Sequence, residues 1–361
     1  MSHPGHSLLI GTYTETLPHV TGTADGILGA SYDPVTGSVR DVTVLARTRN
    51  PSYLAGTDDG RHLYAVNETH TFAGQPGGGI TAFARDPQTG ALRQLNARSS
   101  DGVAPCYLAV DGRTLLVANY DSGSVTAVAL EPDGRLGPER GHVQHSGASG
   151  VNPGRQEGPH VHMTCPDPVT GDVLVVDLGD DAVLTYQLTG SGLAERPGTR
   201  FAAPPGAGPR HLAFHPGGQH VFLVCELASV VLTLRREGGR LVLAHVASTL
   251  PPGAESGPPT LAGAIRVTPS GRHVLVSNRG HDSVVMLRFD PGASSLTLVH
   301  VQPSGGAAPR DFCLTPEGDR LIVAHQDSHS LVVMDLDEDR PELRTVSATE
   351  CPTPSSLLFA P

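Results

Sequence analysis

A single unit returns along the whole chain, and that repetition constrains the fold more than any other feature. It opens, in six copies of seven, on a proline and continues as a short apolar strand. A tight turn follows, then a second apolar strand that ends in a polar pair. Pro51-Ser-Tyr-Leu-Ala leads through Asp59-Gly60 to Leu63-Tyr-Ala-Val-Asn67-Glu68, and Pro105-Cys-Tyr-Leu-Ala-Val leads through Asp111-Gly112 to Leu115-Leu-Val-Ala-Asn119-Tyr120. The anchors Pro51, Pro105, Pro159, Pro209, Ala264, Pro309 and Pro354 stand 45 to 55 residues apart. That interval is too long for a helical-pair repeat and suits a blade of four strands with variable outer loops. The Asp-Gly and Gly-Gly turns tolerate positive φ and read as hairpin connections.

Seven anchors predict an all-β, seven-bladed β-propeller with four-stranded blades, occupying residues 1–361 as one domain. The seventh opening, at Pro354, has no second strand behind it, whereas Ser7-Leu-Leu-Ile-Gly-Thr-Tyr13 resembles the second strand of the other units. The ring is therefore expected to close by pairing of the N- and C-terminal strands, which hides both free edges. A β-sandwich is the structural alternative, and the even period argues against it.

Composition narrows the function. The 43 glycines and 31 prolines suit many short turns, while 38% hydrophobic residues are enough for a core. All 25 basic residues are arginine, so lysine Schiff-base chemistry and Walker-type phosphate binding are excluded. A net charge of −11, with 4% aromatics and no tryptophan, leaves no basic surface or stacking platform for nucleic acid. No apolar run is long enough to span a membrane. Five scattered cysteines, Cys106, Cys165, Cys225, Cys313 and Cys351, read as buried reduced thiols and suggest the cytoplasm. No nucleic-acid or membrane partner is expected.

In a propeller, equivalent repeat positions form rings around the axis. The position after each anchor reads Ser52, Cys106, His160, Arg210, Ile265, Arg310 and Ser355. The position closing the next strand reads Tyr13, Glu68, Tyr120, roughly Leu178-Gly179, Glu226, Arg279 and Gln326. Core positions stay apolar from unit to unit; these do not. His160, Arg210, Glu226 and Arg279 come from consecutive blades and should line one side of a funnel. Three potential cations beside a carboxylate point to an anionic substrate, since local field and net charge are separate quantities. A histidine there can act as a general base while arginines stabilise an oxyanion. His162, two residues beyond His160, faces the same way on a strand, and the pair could hold a metal. Adjacent arginines disfavour that, so neither a metal nor a cofactor is expected. His70, His142 and His145 read as exposed bystanders. The segment 141–158 is a long loop that either covers the funnel or is a plain insertion, and 249–260 reads as a rim loop. The absence of a Gly-x-Ser-x-Gly elbow argues against a serine hydrolase.

Four stretches, Gly158-Pro-His-Val-His162, Gly208-Pro-Arg-His-Leu212, the strand ending at Glu226, and Val276-Ser-Asn-Arg279, together with Leu9-Ile-Gly-Thr-Tyr13, resemble the lactonase family of seven-bladed propellers. That family includes cycloisomerase-type 6-phosphogluconolactonases and carboxymuconate-cyclising enzymes. The resemblance implies a catalytic set of one histidine, two arginines and a glutamate, falling on His160, Arg210, Glu226 and Arg279. His162, His211, Arg310, Glu68, Tyr120 and Gln326 are the accompanying candidates for substrate binding. It implies hydrolysis of a sugar-acid lactone by His-activated water, in a monomer or weak homodimer acting on a small anionic lactone or dicarboxylate. Cys225 and the Pro- and Gly-rich insertion before the fifth anchor depart from the family pattern. A lactonising cycloisomerase and a non-catalytic protein-binding propeller are the alternatives.

Overall fold

In the computed structural model, described over residues 5–190, 192–254 and 259–361, the chain forms seven antiparallel sheets around one axis. Blade 1 joins the two ends of the chain: Pro354–Phe359 is innermost and pairs with His6–Thr12, followed by Ile27–Asp33 and Ser38–Ala46. The innermost strands of blades 2 to 7 are Leu54–Gly56, Pro105–Asp111, Val161–Pro166, Pro209–Phe214, Leu261–Val267 and Pro309–Leu314. Blades 2 to 7 each run four strands in sequence order from the axis outward, blade 4 gaining a short fifth, Phe201–Ala202, and blade 1 has the same four-stranded form with the C-terminal strand innermost. No α-helix occurs among the described residues. The expected propeller, its blade number and its ring closure are all present.

The core lies between blades. Along Thr114–Asn119 of blade 3, Leu115 and Val117 pack against blade 2, while Leu116 and Ala118 pack against blade 4. Period-two alternation thus serves two apolar faces, which is why these strands read as continuous hydrophobic runs. Seven buried apolar clusters result, one at each blade interface. Fully burying a side chain such as Val117 is worth about 1.5–3 kcal/mol, and the seventh interface, between blades 7 and 1, forms only once the chain ends meet. All five cysteines are buried and unpaired.

The register of the inner strands positions the site. Each of these strands in blades 3, 4, 5 and 7 carries one extra residue where it meets its neighbour: Cys106, His162, Arg210 and Arg310. Ser355 is the extra residue in blade 1, and Gly263 takes the matching place in blade 6. A β-bulge re-aims the side chain of its extra residue, here toward the axis. Ser52, Cys106, His162, Arg210, Arg310 and Ser355 accordingly meet around an axial void of about 10 Å³, room for about one water.

This corrects two members of the ring read from sequence. His162, not His160, and Gly263, not Ile265, stand at the equivalent positions. The residue before the bulged pair accepts a backbone hydrogen bond from the next strand's end: Ala104 from Tyr120, His160 from Leu178, Gly208 from Glu226, Ala308 from Gln326. His160 is therefore the counterpart of Ala104, Gly208 and Ala308. In blade 4 the proline falls two residues early, and Val161 holds the place of Pro105, Pro209 and Pro309.

Candidate active site

Above the axial void opens a cavity of about 420 Å³, lined by His19, Glu68, Cys106, Tyr120, Arg155, His160, His162, Glu226, Arg279 and Arg310 among others. Arg210 enters from below through Glu226. The four residues expected to converge therefore do so at one mouth of the channel.

Glu226 is the hub. Its Oε1 accepts from Arg155 Nη2 at 2.6 Å, and its Oε2 lies 2.7 Å from Arg279 Nη2 and 3.0 Å from Arg210 Nε. The Arg210 contact is an ion pair without hydrogen-bond alignment, so that N–H remains unspent. Burial alone would raise the pKa of Glu226; the guanidinium groups of Arg279, Arg155 and Arg210 prevail and hold it well below the usual carboxylate range. Burial, with Arg279 and Arg310 nearby, lowers Arg210 to about 10, which still leaves it charged at neutral pH. Its Nη1 donates to the Gly263 carbonyl at 3.0 Å.

Arg155 was missed in the sequence because it sits on a loop outside the repeat. Its side chain is 33% exposed, against 3% for Arg210 and 15% for Arg279. The loop carrying it is pinned at both ends by Asp177. Oδ2 of Asp177 meets His145 Nδ1 at 2.7 Å, and Oδ1 accepts the His160 backbone N–H at 2.8 Å. His145, also 3.0 Å from the Tyr186 hydroxyl, is buried rather than an exposed bystander. The segment expected as a loop divides in two: its first residues extend the outer strand Leu136–Gln144, and the remainder covers the cavity through Gly154, Arg155 and Glu157. Of the anticipated rim loop 249–260, residues 255–258 lie outside the described residues.

The two histidines differ in kind. The His160 ring stacks on Tyr120, its Nδ1 3.1 Å from the Tyr120 carbonyl oxygen and its Nε2 3.0 Å from Glu157 Oε1. Both partners are acceptors; a neutral imidazole donates to one of them and keeps its lone pair on the other nitrogen, where an acceptor crowds it. Among the described residues, His162 has Cys106 Sγ, 3.9 Å from its Nδ1, as the hydrogen-bonding neighbour of a ring nitrogen. Burial, reinforced by Arg210, pushes its pKa well below the ordinary histidine value and leaves it a neutral imidazole. Tyr120 lines the wall; its hydroxyl accepts from Arg155 Nε and Nη2 and keeps its own proton, burial holding its pKa up at about 12.

The remaining expected contacts are distributed unevenly. Arg310 lies in the cavity over the Tyr13 ring, held by Gln326 Oε1 at 3.1 Å. Gln326 does not line the cavity; it braces Arg310 and reaches the His19 carbonyl. His211 lies one layer deeper, packed among Tyr53, Tyr107 and His162, and does not face a substrate in the cavity.

Comparison with known proteins now places the chain. Residues 7–359 match the family model described as lactonase, 7-bladed beta-propeller. The chain belongs to the lactonase family. It is 32% identical to a 6-phosphogluconolactonase of Bacillus subtilis over 97% of both chains, and 26% identical to a 6-phosphogluconolactonase of Formosa agariphila over 93% of this chain and 94% of the other. The solved periplasmic gluconolactonase of Pseudomonas aeruginosa superposes with a TM-score of 0.90 at 34% identity, covering 99% of each chain. The chain is thus a lactonase by family, with the Glu226 cluster at the mouth of its channel.

Proposed function

We propose that this lactonase hydrolyses an anionic sugar-acid lactone of the 6-phosphogluconolactone type. One observation carries the reading: Arg155, Arg279 and Arg310 line the cavity, Arg210 lies beneath it at the axial void, and three of these four guanidinium groups share one carboxylate. Arg310 has no carboxylate of a described residue within 4.0 Å. Four carboxylates, Glu68, Asp121, Glu157 and Glu226, also line the cavity, but Arg310 is left without a counter-ion among them, and that fixed charge favours a substrate that brings its own negative charge.

His162, at the floor, takes the proton of the attacking water. His160, the histidine expected from the repeat to play this part, has an acceptor beside each ring nitrogen. The carbonyl oxygen, as it becomes an oxyanion, faces Arg279 and the Tyr120 hydroxyl. Arg310 and the loop-borne Arg155 hold the phosphate or carboxylate substituent. Glu226 fixes three arginines in advance, so little reorganisation is needed when charge develops. The buried thiols support a reducing, cytoplasmic setting.

The test is a substrate panel: 6-phosphogluconolactone, its unphosphorylated counterpart and carboxymuconate, each with wild type and Arg310→Met. Faster opening of the phosphorylated lactone, with its KM raised selectively in the variant, supports the reading. Turnover of carboxymuconate alone would convert it to the cyclising activity, and turnover of none would remove it.

A further inference from the structure

Glu68 and Glu226 close the second strand of their blades at equivalent positions, one in blade 2 and the other in blade 5. Both line the cavity, yet their surroundings are opposite. Glu226 is held by three arginines. Glu68 has no arginine nitrogen of a described residue within 4.0 Å. Its Oε2 accepts two hydroxyl hydrogen bonds, from Tyr13 at 2.9 Å and Ser52 at 2.5 Å. Its Oε1 is left with His19 Nε2, 3.8 Å away. One oxygen is thus saturated as an acceptor while the other is kept for the cavity.

We propose, building on the lactonase reading above, that Glu68 is the acid of this site: its Oε1 carries the proton that the ring oxygen takes up as the lactone opens. Water adds to the carbonyl carbon and gives a proton to His162. The acyl C–O bond then breaks, its electron pair goes to the ring oxygen, and Glu68 protonates that oxygen to a hydroxyl. The proton on His162 returns to Glu68 through solvent, and the new carboxylic acid releases its own proton on leaving.

The charged and titratable groups facing Glu68 agree. Burial raises its pKa above the ordinary glutamate value and outweighs Arg310 and the hydrogen bonds from Ser52 and Tyr13, which lower it, while Asp121 adds to the rise. Cys106 and Tyr13 stay protonated because burial raises both. His19, lowered to about 3 by burial and by Arg310, Arg279 and Arg155, is uncharged and gives no counter-ion. A substrate anion on Arg310 weakens the one cation that favours the ionised form. Environments that drive two carboxyl groups apart in this way assign acid and base roles.

The test is Glu68→Gln, assayed on 6-phosphogluconolactone, which leaves an alkoxide, and on a carboxylated dihydrocoumarin, which leaves a phenolate needing no proton. The variant is expected to lose about 100-fold or more in kcat on the first and far less on the second. Equal loss on both, or an unchanged rate on the first, overturns the role. Titration of 13C-labelled glutamate in the wild-type protein, with the variant assigning the signal, reads the same claim without turnover: Glu68 should titrate above the ordinary glutamate value, and titration at or below it overturns the role. A wild-type protein that opens no lactone removes the function itself, an outcome distinct from an active lactonase indifferent to Glu68→Gln.

Discussion

Arg155 Nη2 lies 2.6 Å from Glu226 Oε1, joining a loop to the strand end of a blade 71 residues further along. Of the three cations on that carboxylate, it is the most exposed and the one held outside the repeat.

Arg155→Met should therefore act on substrate capture more than on folding. Arg210 and Arg279 still neutralise Glu226, so the thermal midpoint should barely move, while KM for the anionic lactone rises by about tenfold, roughly 1.4 kcal/mol of lost binding. Steady-state kinetics beside a melting curve checks this. Unchanged KM would show that Arg155 only closes the loop.

Glu226→Gln should instead destabilise the fold. Removing the charge leaves buried Arg210 without its partner, a loss of the kind that costs about 3–5 kcal/mol. The pH dependence has a definite sign. Because the folded pKa of Glu226 is depressed, its contribution is full above the ordinary carboxylate value and is lost as pH falls through the folded value. Urea unfolding from neutral to acidic pH should show this dependence in the wild type and a weaker one in the variant. Parallel curves would contradict it.

Gly263→Ala tests the ring of bulges. A Cβ there would stand 2.6 Å from Ser277 Oγ and within 3.1 and 3.2 Å of the Pro309 and Arg310 carbonyl oxygens. The inner strands of blades 6 and 7 would have to separate, displacing Arg310 and the carbonyl that receives Arg210. A loss of about 1–3 kcal/mol in stability, with a raised KM, is expected. A variant as stable and active as wild type would mean the bulge has slack.

The blade count, the order of strands and the closure of the ring were legible because every blade must bury two apolar faces, and that demand writes itself into every repeat. Arg210, Glu226 and Arg279 were legible for the converse reason, as polar residues where the repeat stops repeating. His162 was misplaced because Pro159 precedes the bulge by two residues more than Pro105 or Pro209 does, a shift only the pairing register reveals. Arg155 and His145 lie in a loop with no counterpart in other blades, so no comparison between repeats could raise them. Nothing in the order of residues distinguishes Glu68 from Glu226; the difference comes from which arginines each meets after folding.

The acid limb of the wild-type pH–rate profile should fall below the ordinary histidine value of 6.5. A base must be unprotonated to act, and burial keeps His162 so until the pH drops past its lowered pKa. A limb at or above the ordinary value would point to a more exposed histidine.

The decisive measurement is kcat/KM for 6-phosphogluconolactone in wild type, His162→Ala and His160→Ala, with thermal melts confirming that both variants fold. Loss of a general base predicts a fall of about 100-fold to 10,000-fold for His162→Ala, and a change within about tenfold for His160→Ala, whose ring nitrogens each face an acceptor, the Tyr120 carbonyl and Glu157. The reverse order, with His160→Ala inactive and His162→Ala intact, would contradict the account.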